Sequence, residues 1–246
     1  MHETELWFTA FLNNHVAALP NAIYGLVGYH TEDPLKPWSN YMAMELIIIA
    51  LLMAVAVIVR ASLSVDKPGK LQLVFENIWE FVGTQAEEII GHGAKKYVSY
   101  CAMVFLFVVS SNLLGIVPTF ESPTMYYYVP AGLAIATFLY YNGQGIREQG
   151  LWGHVKHFMG PIWLLAWFIG PLELLSHCIR PVSLTIRLFA NMLAGEQVTV
   201  GFLNMVPWVV PVIFMGLHVF VSFVQAFIFM MLTMVYVGQV VAHEDH

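Results

Sequence analysis

The sequence predicts an all-α integral membrane protein. It reads as five membrane-embedded helices plus one interfacial amphipathic helix, the last two membrane helices long and strongly tilted as an antiparallel hairpin. Three observations predict this. Hydrophobic residues make up 59% of the 246 and charged residues only 11%, where a typical soluble domain carries about 25% charge. Mean hydropathy is +0.69. The apolar residues are also gathered into runs long enough to cross a ~30 Å hydrocarbon core.

Two regions follow from the pattern. Residues 1–38 form an N-terminal outer-side segment, and residues 39–246 form the membrane domain. The opening, Met1 to Leu6, is acidic and lacks the basic flank of a signal peptide. Leu6 to Leu19 suits a short amphipathic helix, after which Pro20, Pro34 and Pro37 interrupt the chain. The first membrane run is Tyr41 to Val59, with Glu45 near its start and Arg60 closing it.

The next stretch is different. Leu71, Val74, Phe75, Ile78, Trp79 and Val82 recur at helical spacing, while Glu76, Glu80, Glu87 and Glu88 fill other positions. This predicts an interfacial helix over about 70–90 rather than a span. Tyr97 to Val117 and Met125 to Tyr141 follow as a membrane hairpin, joined by a turn from Pro118 to Pro123.

The last third holds two runs too long for upright spans. Ile162 to Leu203 carries only Glu173, Arg180, Arg187 and Glu196 as charges, and is roughly 63 Å long as a helix. Trp208 to Ala242 has no formal charge and would be roughly 52 Å long. Pro171 and Pro181 can kink the first run without ending it, because bundled membrane helices tolerate proline. Only Asn204 to Pro207 reads as a turn. A tilted hairpin over about 162–242 accommodates both runs.

Basic residues set the orientation. Placing 61–96 and 142–160 in the cytoplasm puts Arg60, Lys67, Lys70, Lys95, Lys96, Arg147 and Lys156 there, and leaves Lys36 alone outside. The N-terminus and the turn holding Ser122 are then outside, and the C-terminus, Ala242 to His246, is cytoplasmic. Cys101 and Cys178 lie in apolar runs and read as buried thiols rather than a disulfide or metal pair. No phosphate-binding glycine loop, metal-ligand cluster, cofactor motif or nucleic-acid patch is present.

Charges inside a membrane are costly and default to function. At 100° per residue, Glu173, Arg180, Arg187 and Asn191 make one polar stripe if Pro181 does not rotate the two halves. Leu184 and Asn191 are read onto the Arg187 face and Phe189 half a turn away. Glu196 is nine residues past Arg187 and points the opposite way. On the last run His218, Ser222 and Gln225 share a face. Glu196 and His218 can meet in an antiparallel pair, and Gly195 lacks the side chain that would block the approach. A haem protein ligated by His177 and His218 is a rival reading, as is a secondary transporter, although no internal repeat supports the latter.

Three segments carry a specific resemblance: "SLTIRLFANMLAGE" (Ser183 to Glu196), "VQAFIFMMLTMVY" (Val224 to Tyr236) and "SSNLLGIVP" (Ser110 to Pro118). Together they resemble subunit a of the F-type ATP synthase membrane (Fo) sector, bacterial type, over about residues 40–242. The resemblance implies a stator proton-channel subunit with no cofactor and no metal, placed in the bacterial plasma (inner) membrane beside a c-subunit ring and a b-subunit stalk. It implies that Arg187 is essential and faces the ring carboxylates. The outer half-channel is implied at Asn191, Glu196, His218, Gln225 and Asn112, and the cytoplasmic one at Glu173 and His177. Arg180, Ser183, Gly195 and Ser222 are implied as supporting residues. Gly115 departs from members that carry an acid nearby, and no role is carried to it.

Overall fold

A computed structural model describes residues 6–18, 20–21, 36–65, 67–91, 93–117, 120–159, 166–205 and 210–241. Among these residues the secondary structure is entirely helical. The helices are α1 (Trp7–Val16), α2 (Asn40–Ala61), α3 (Lys70–Ile90), α4 (Lys95–Leu114), α5 (Tyr128–Met159), α6 (Ala166–Met205) and α7 (Val210–Val241). A single 3-10 turn, η1 (Pro123–Met125), precedes α5. Helices are the expected solution for such a sequence, since lipid offers the backbone no hydrogen-bond partners. Three of them, Asn40–Ala61, Lys95–Leu114 and Val212–Val241, are long and apolar enough to cross a membrane.

The expected elements are present with shifted ends. α5 runs past the expected Tyr141 to Met159, but its helical geometry breaks at Gly150, where φ is 73°. That left-handed conformation suits a residue without a Cβ. Pro171 and Pro181 lie inside α6 and do not end it. The Thr185 hydroxyl donates to the Pro181 carbonyl at 2.8 Å, which satisfies a half-buried hydroxyl within its own helix. Thr199, Ser222 and Thr233 do the same to Gly195, His218 and Phe229, each at 2.8 Å.

α6 and α7 pack antiparallel. Gly195 of α6 lies against His218 of α7, while Arg180, fifteen residues earlier on α6, lies over Tyr236, eighteen later on α7. α4 packs chiefly on α7 and α5 chiefly on α6, so the two arms read as a hairpin interleave with the final pair. α4 and α5 still touch through side chains, with the Tyr100 and Tyr140 rings stacked at 3.7 Å.

One core joins Val104 and Val108 of α4, Ala134 of α5, Leu184, Leu188 and Met192 of α6, and Ala226 and Phe229 of α7. A second sets Val82 and Ala86 of α3 against Val98 and Cys101 of α4 and Met230 and Met234 of α7. The amphipathic α3 is therefore anchored to the bundle by its C-terminal half. Leu71, Val74 and Trp79 of the predicted apolar face remain more than half exposed.

Lys96 and Glu148 form an ion pair at 3.0 Å. This puts the start of α4 and the far part of α5 at one end of the bundle, as the charge pattern required. The thiols need one correction. Cys101 is buried, but Cys178 is exposed: it lies about 100° around α6 from the buried His177. The expected turn at Asn204–Pro207 is helical to Met205, and the rest of it lies outside the described residues, as does the C-terminal tail.

Candidate functional site

Two polar clusters flank the middle of α6. The first lies toward η1. Gly195 is half-buried, and a Cβ added to it would stand 2.8 Å from His218 Nδ1 and 3.2 Å from Cε1. Only a glycine lets the imidazole lie on this backbone. His218 Nε2 is buried with no hydrogen-bond partner among the described residues, an expensive state for a polar atom. Glu196, next to Gly195, is half-buried. Glu121, just before η1, accepts a hydrogen bond from the Tyr126 hydroxyl at 2.8 Å.

A buried hydrogen-bond network continues from this cluster. Asn112 Nδ2 donates to the Ser222 carbonyl at 3.4 Å. Thr124 Oγ1 donates to Asn112 Oδ1 at 2.6 Å. Ser122 Oγ lies 2.7 Å from Thr124 Oγ1 and donates to the Ser111 carbonyl at 3.0 Å. The sequence predicts Ser122 to be accessible in a turn on the outer side; its side chain is instead buried within the protein, at 2% exposure. The turn folds back onto α4 because Gly115 leaves room; a Cβ there would meet Ser122 Cβ at 2.7 Å. Gln225 is buried one helical turn beyond Ser222.

The second cluster lies toward the Lys96–Glu148 end. His177 is 5% exposed, and its Nε2 donates to Asn142 Oδ1 at 2.9 Å. Its ring sits 5.0 Å from Phe138 and 5.3 Å from Tyr141. Arg180 places its guanidinium 5.0 Å from the centre of the Tyr236 ring, a cation–π contact. The Tyr141 hydroxyl is buried without a partner among the described residues. Glu173 is half-buried one turn before His177. His177 and His218 cannot share a haem: eighteen residues of α6, ~27 Å, separate His177 from Gly195, on which His218 rests.

Arg187 stands between the clusters. It is half-buried and makes no hydrogen bond or ion pair among the described residues. Asn191, one turn on, is exposed, and Ser183, one turn before, is half-buried. Leu184 does not share this open side, being 3% exposed in the core. Sequence reasoning missed Thr124, Ser122, Asn142, Tyr141 and Tyr236. The signal for Asn142 was a lone amide at the end of an apolar run. The signal for Thr124 was a hydroxyl in a proline turn.

The sequence matches the family model described as ATP synthase A chain over residues 42–238. It is 52% identical over 232 residues to the ATP synthase subunit a of Solibacter usitatus, covering 94% of this chain and 99% of the relative. The ATP synthase subunit a of Koribacter versatilis is 45% identical over 239 residues, with 97% and 98% covered. That of Aquifex aeolicus is 37% identical over 216 residues, with 84% and 100% covered.

Proposed function

The chain belongs to the ATP synthase A chain family, and from that premise we propose that it carries protons between the bilayer faces and a rotating c-subunit ring through two offset half-channels. It is a membrane-embedded part of the ATP synthase complex. In this reading the c-ring packs on the open side of α6 around Arg187 and Asn191, and a b-subunit stalk holds the chain as stator. The outer half-channel uses Asn191, Glu196, His218, Gln225 and Asn112, with Gly195 and Ser222 supporting. The cytoplasmic one uses Glu173 and His177, with Arg180 and Ser183 supporting.

The observation that carries this reading is Arg187. A mid-helix guanidinium without an acidic partner among the described residues is costly in a membrane, and a carboxylate from another chain would relieve that cost. At ~4 Å and an effective dielectric of ~20 the attraction is ~4 kcal/mol, enough to favour the ionised acid and release its proton. Arginine suits the role because its guanidinium keeps its charge where a desolvated lysine can lose it. Fixed between the clusters, that charge also blocks direct passage from one to the other. Each elementary charge crossing ~100 mV contributes ~2.3 kcal/mol.

The membrane arrangement follows. Residues 39–246 form the membrane domain, with five spans made by α2, α4, α5, α6 and α7 and with α3 at the cytoplasmic interface. α6 and α7, ~60 Å and ~48 Å long, tilt to fit a ~30 Å core. Residues 1–38 lie outside, the C-terminus lies in the cytoplasm, and the membrane is the bacterial inner membrane. The test is Arg187→Ala in the assembled complex. ATP-driven acidification of membrane vesicles is expected to vanish while the subunits still co-purify, and Arg187→Lys is expected to be severely impaired. Normal pumping by the alanine variant would remove the proposal.

A further inference from the structure

Among the described residues, α2 is fully buried only near its start. Its buried residues, Asn40, Ala43, Met44 and Ile48, all fall in its first nine positions. Beyond Ile48 the helix stands off from α4 and α5. The wedge left between them is a cleft of about 800 Å³.

We propose that this cleft binds an amine-headed phospholipid, with an acyl chain between α2 and the α4–α5 face and the ammonium group on Glu45. The walls below are apolar: Ile49, Met53 and Ala56 on one side, Phe107 and Leu133 on the other. Glu45 is the one charged residue in the lining. It is half-buried and has no hydrogen bond or ion pair among the described residues. A carboxyl group in so apolar a setting calls for a cation or a strong donor, and a primary ammonium supplies both.

The level is right for a headgroup. Tyr41, one turn before Glu45, stacks on Tyr128 at 5.5 Å and lies 5.5 Å from Tyr126. Such a tyrosine girdle belongs at a membrane–water boundary. From Tyr41 to Ala56 the cleft follows ~22 Å of helix, enough for a chain spanning one ~15 Å leaflet. A choline headgroup offers no N–H to the carboxylate, and a glycerol headgroup brings no cation. This inference does not depend on the role of Arg187.

The test uses the intact complex, reconstituted in vesicles of equal phosphatidylethanolamine and phosphatidylglycerol, re-extracted and examined by native mass spectrometry. The wild type is expected to retain phosphatidylethanolamine at least about tenfold over phosphatidylglycerol, the range for a charge-assisted hydrogen bond. Glu45→Gln is expected to keep a lipid but lose the preference. Gly132→Leu is expected to lose both lipids, since Gly132 lines the cleft and a Cβ there meets open space. A photoreactive residue at Met53 is expected to label lipid. Equal retention of the two headgroups by the wild type, an unchanged preference in Glu45→Gln, or a polypeptide adduct at Met53 would each overturn the proposal. The last would assign the cleft to a partner helix.

Discussion

Gly195 and His218 share one space: the imidazole fills the position a side chain on residue 195 would occupy, 2.8 Å from its Cβ. The Gly195→Ala variant must therefore push the ring off its seat. Overpacking of this kind costs ~1–3 kcal/mol, and the displaced atom is a ring nitrogen in the proposed outer path. Pumping per assembled complex is expected to fall at least about fivefold, since 1 kcal/mol is about that factor, with a modest loss of thermal stability. Adding His218→Ala is expected to restore the stability and leave pumping low. If the double variant stays as unstable as Gly195→Ala, the two residues are not in steric conflict.

This contact was legible in the sequence because it needs only two helices, a short turn and a glycine. The Asn112 network was not. It depends on the turn after α4 folding back so that Ser122 and Thr124 reach Asn112, and helical periodicity says nothing about turns. The Leu184 error has another cause. Leu184 and Asn191 differ by only 20° in helical phase, yet one is buried and the other exposed. Phase gives direction but not what stands there. At Leu184 the core covers this side of α6; ~10 Å further on it still reaches α6 at Met192 but leaves the side carrying Asn191 uncovered. The charge of Arg187 and the absence of an acid close by on its helix face are legible in the sequence; that no residue of another described helix pairs with it needed three dimensions.

The proposed orientation can be read with single cysteines in a background lacking Cys101 and Cys178. Ser122 is too buried for the purpose, so Tyr127, 52% exposed at the start of α5, replaces it. Tyr127→Cys is expected to react with an impermeant thiol reagent only from outside. Lys70→Cys, on an exposed position of α3, is expected to react only from the cytoplasm. Reversed labelling would exchange the two half-channels and invert the topology.

The side of α6 proposed to face the ring is exposed at Asn191 and so open to crosslinking. Asn191→Cys, on an exposed position, is expected to form a disulfide with cysteines placed along a c-subunit helix under mild oxidation. Leu184→Cys and Leu188→Cys, at 3% and 1% exposure, are expected to give little product. Equal yields from all three would mean that α6 is not seated on the ring by this side.

The last prediction concerns Thr124, whose hydroxyl donates to Asn112 Oδ1 at 2.6 Å inside a fully buried network. Thr124→Val keeps the shape and removes the donor. Asn112 Oδ1 is then left buried without that hydrogen, and Ser122 loses its neighbouring oxygen. Stranding a buried acceptor costs ~1–3 kcal/mol. The variant complex is expected to lose thermal stability by that amount, while Thr124→Ser, which keeps the hydroxyl, stays within about 1 kcal/mol of wild type. Because Asn112 also donates to the Ser222 carbonyl on α7, the disturbance reaches the helix carrying His218. Pumping in Thr124→Val is therefore expected to fall further than the amount of folded complex does. Stability and pumping equal to wild type would mean that the Thr124–Asn112 bond holds neither the turn nor the path.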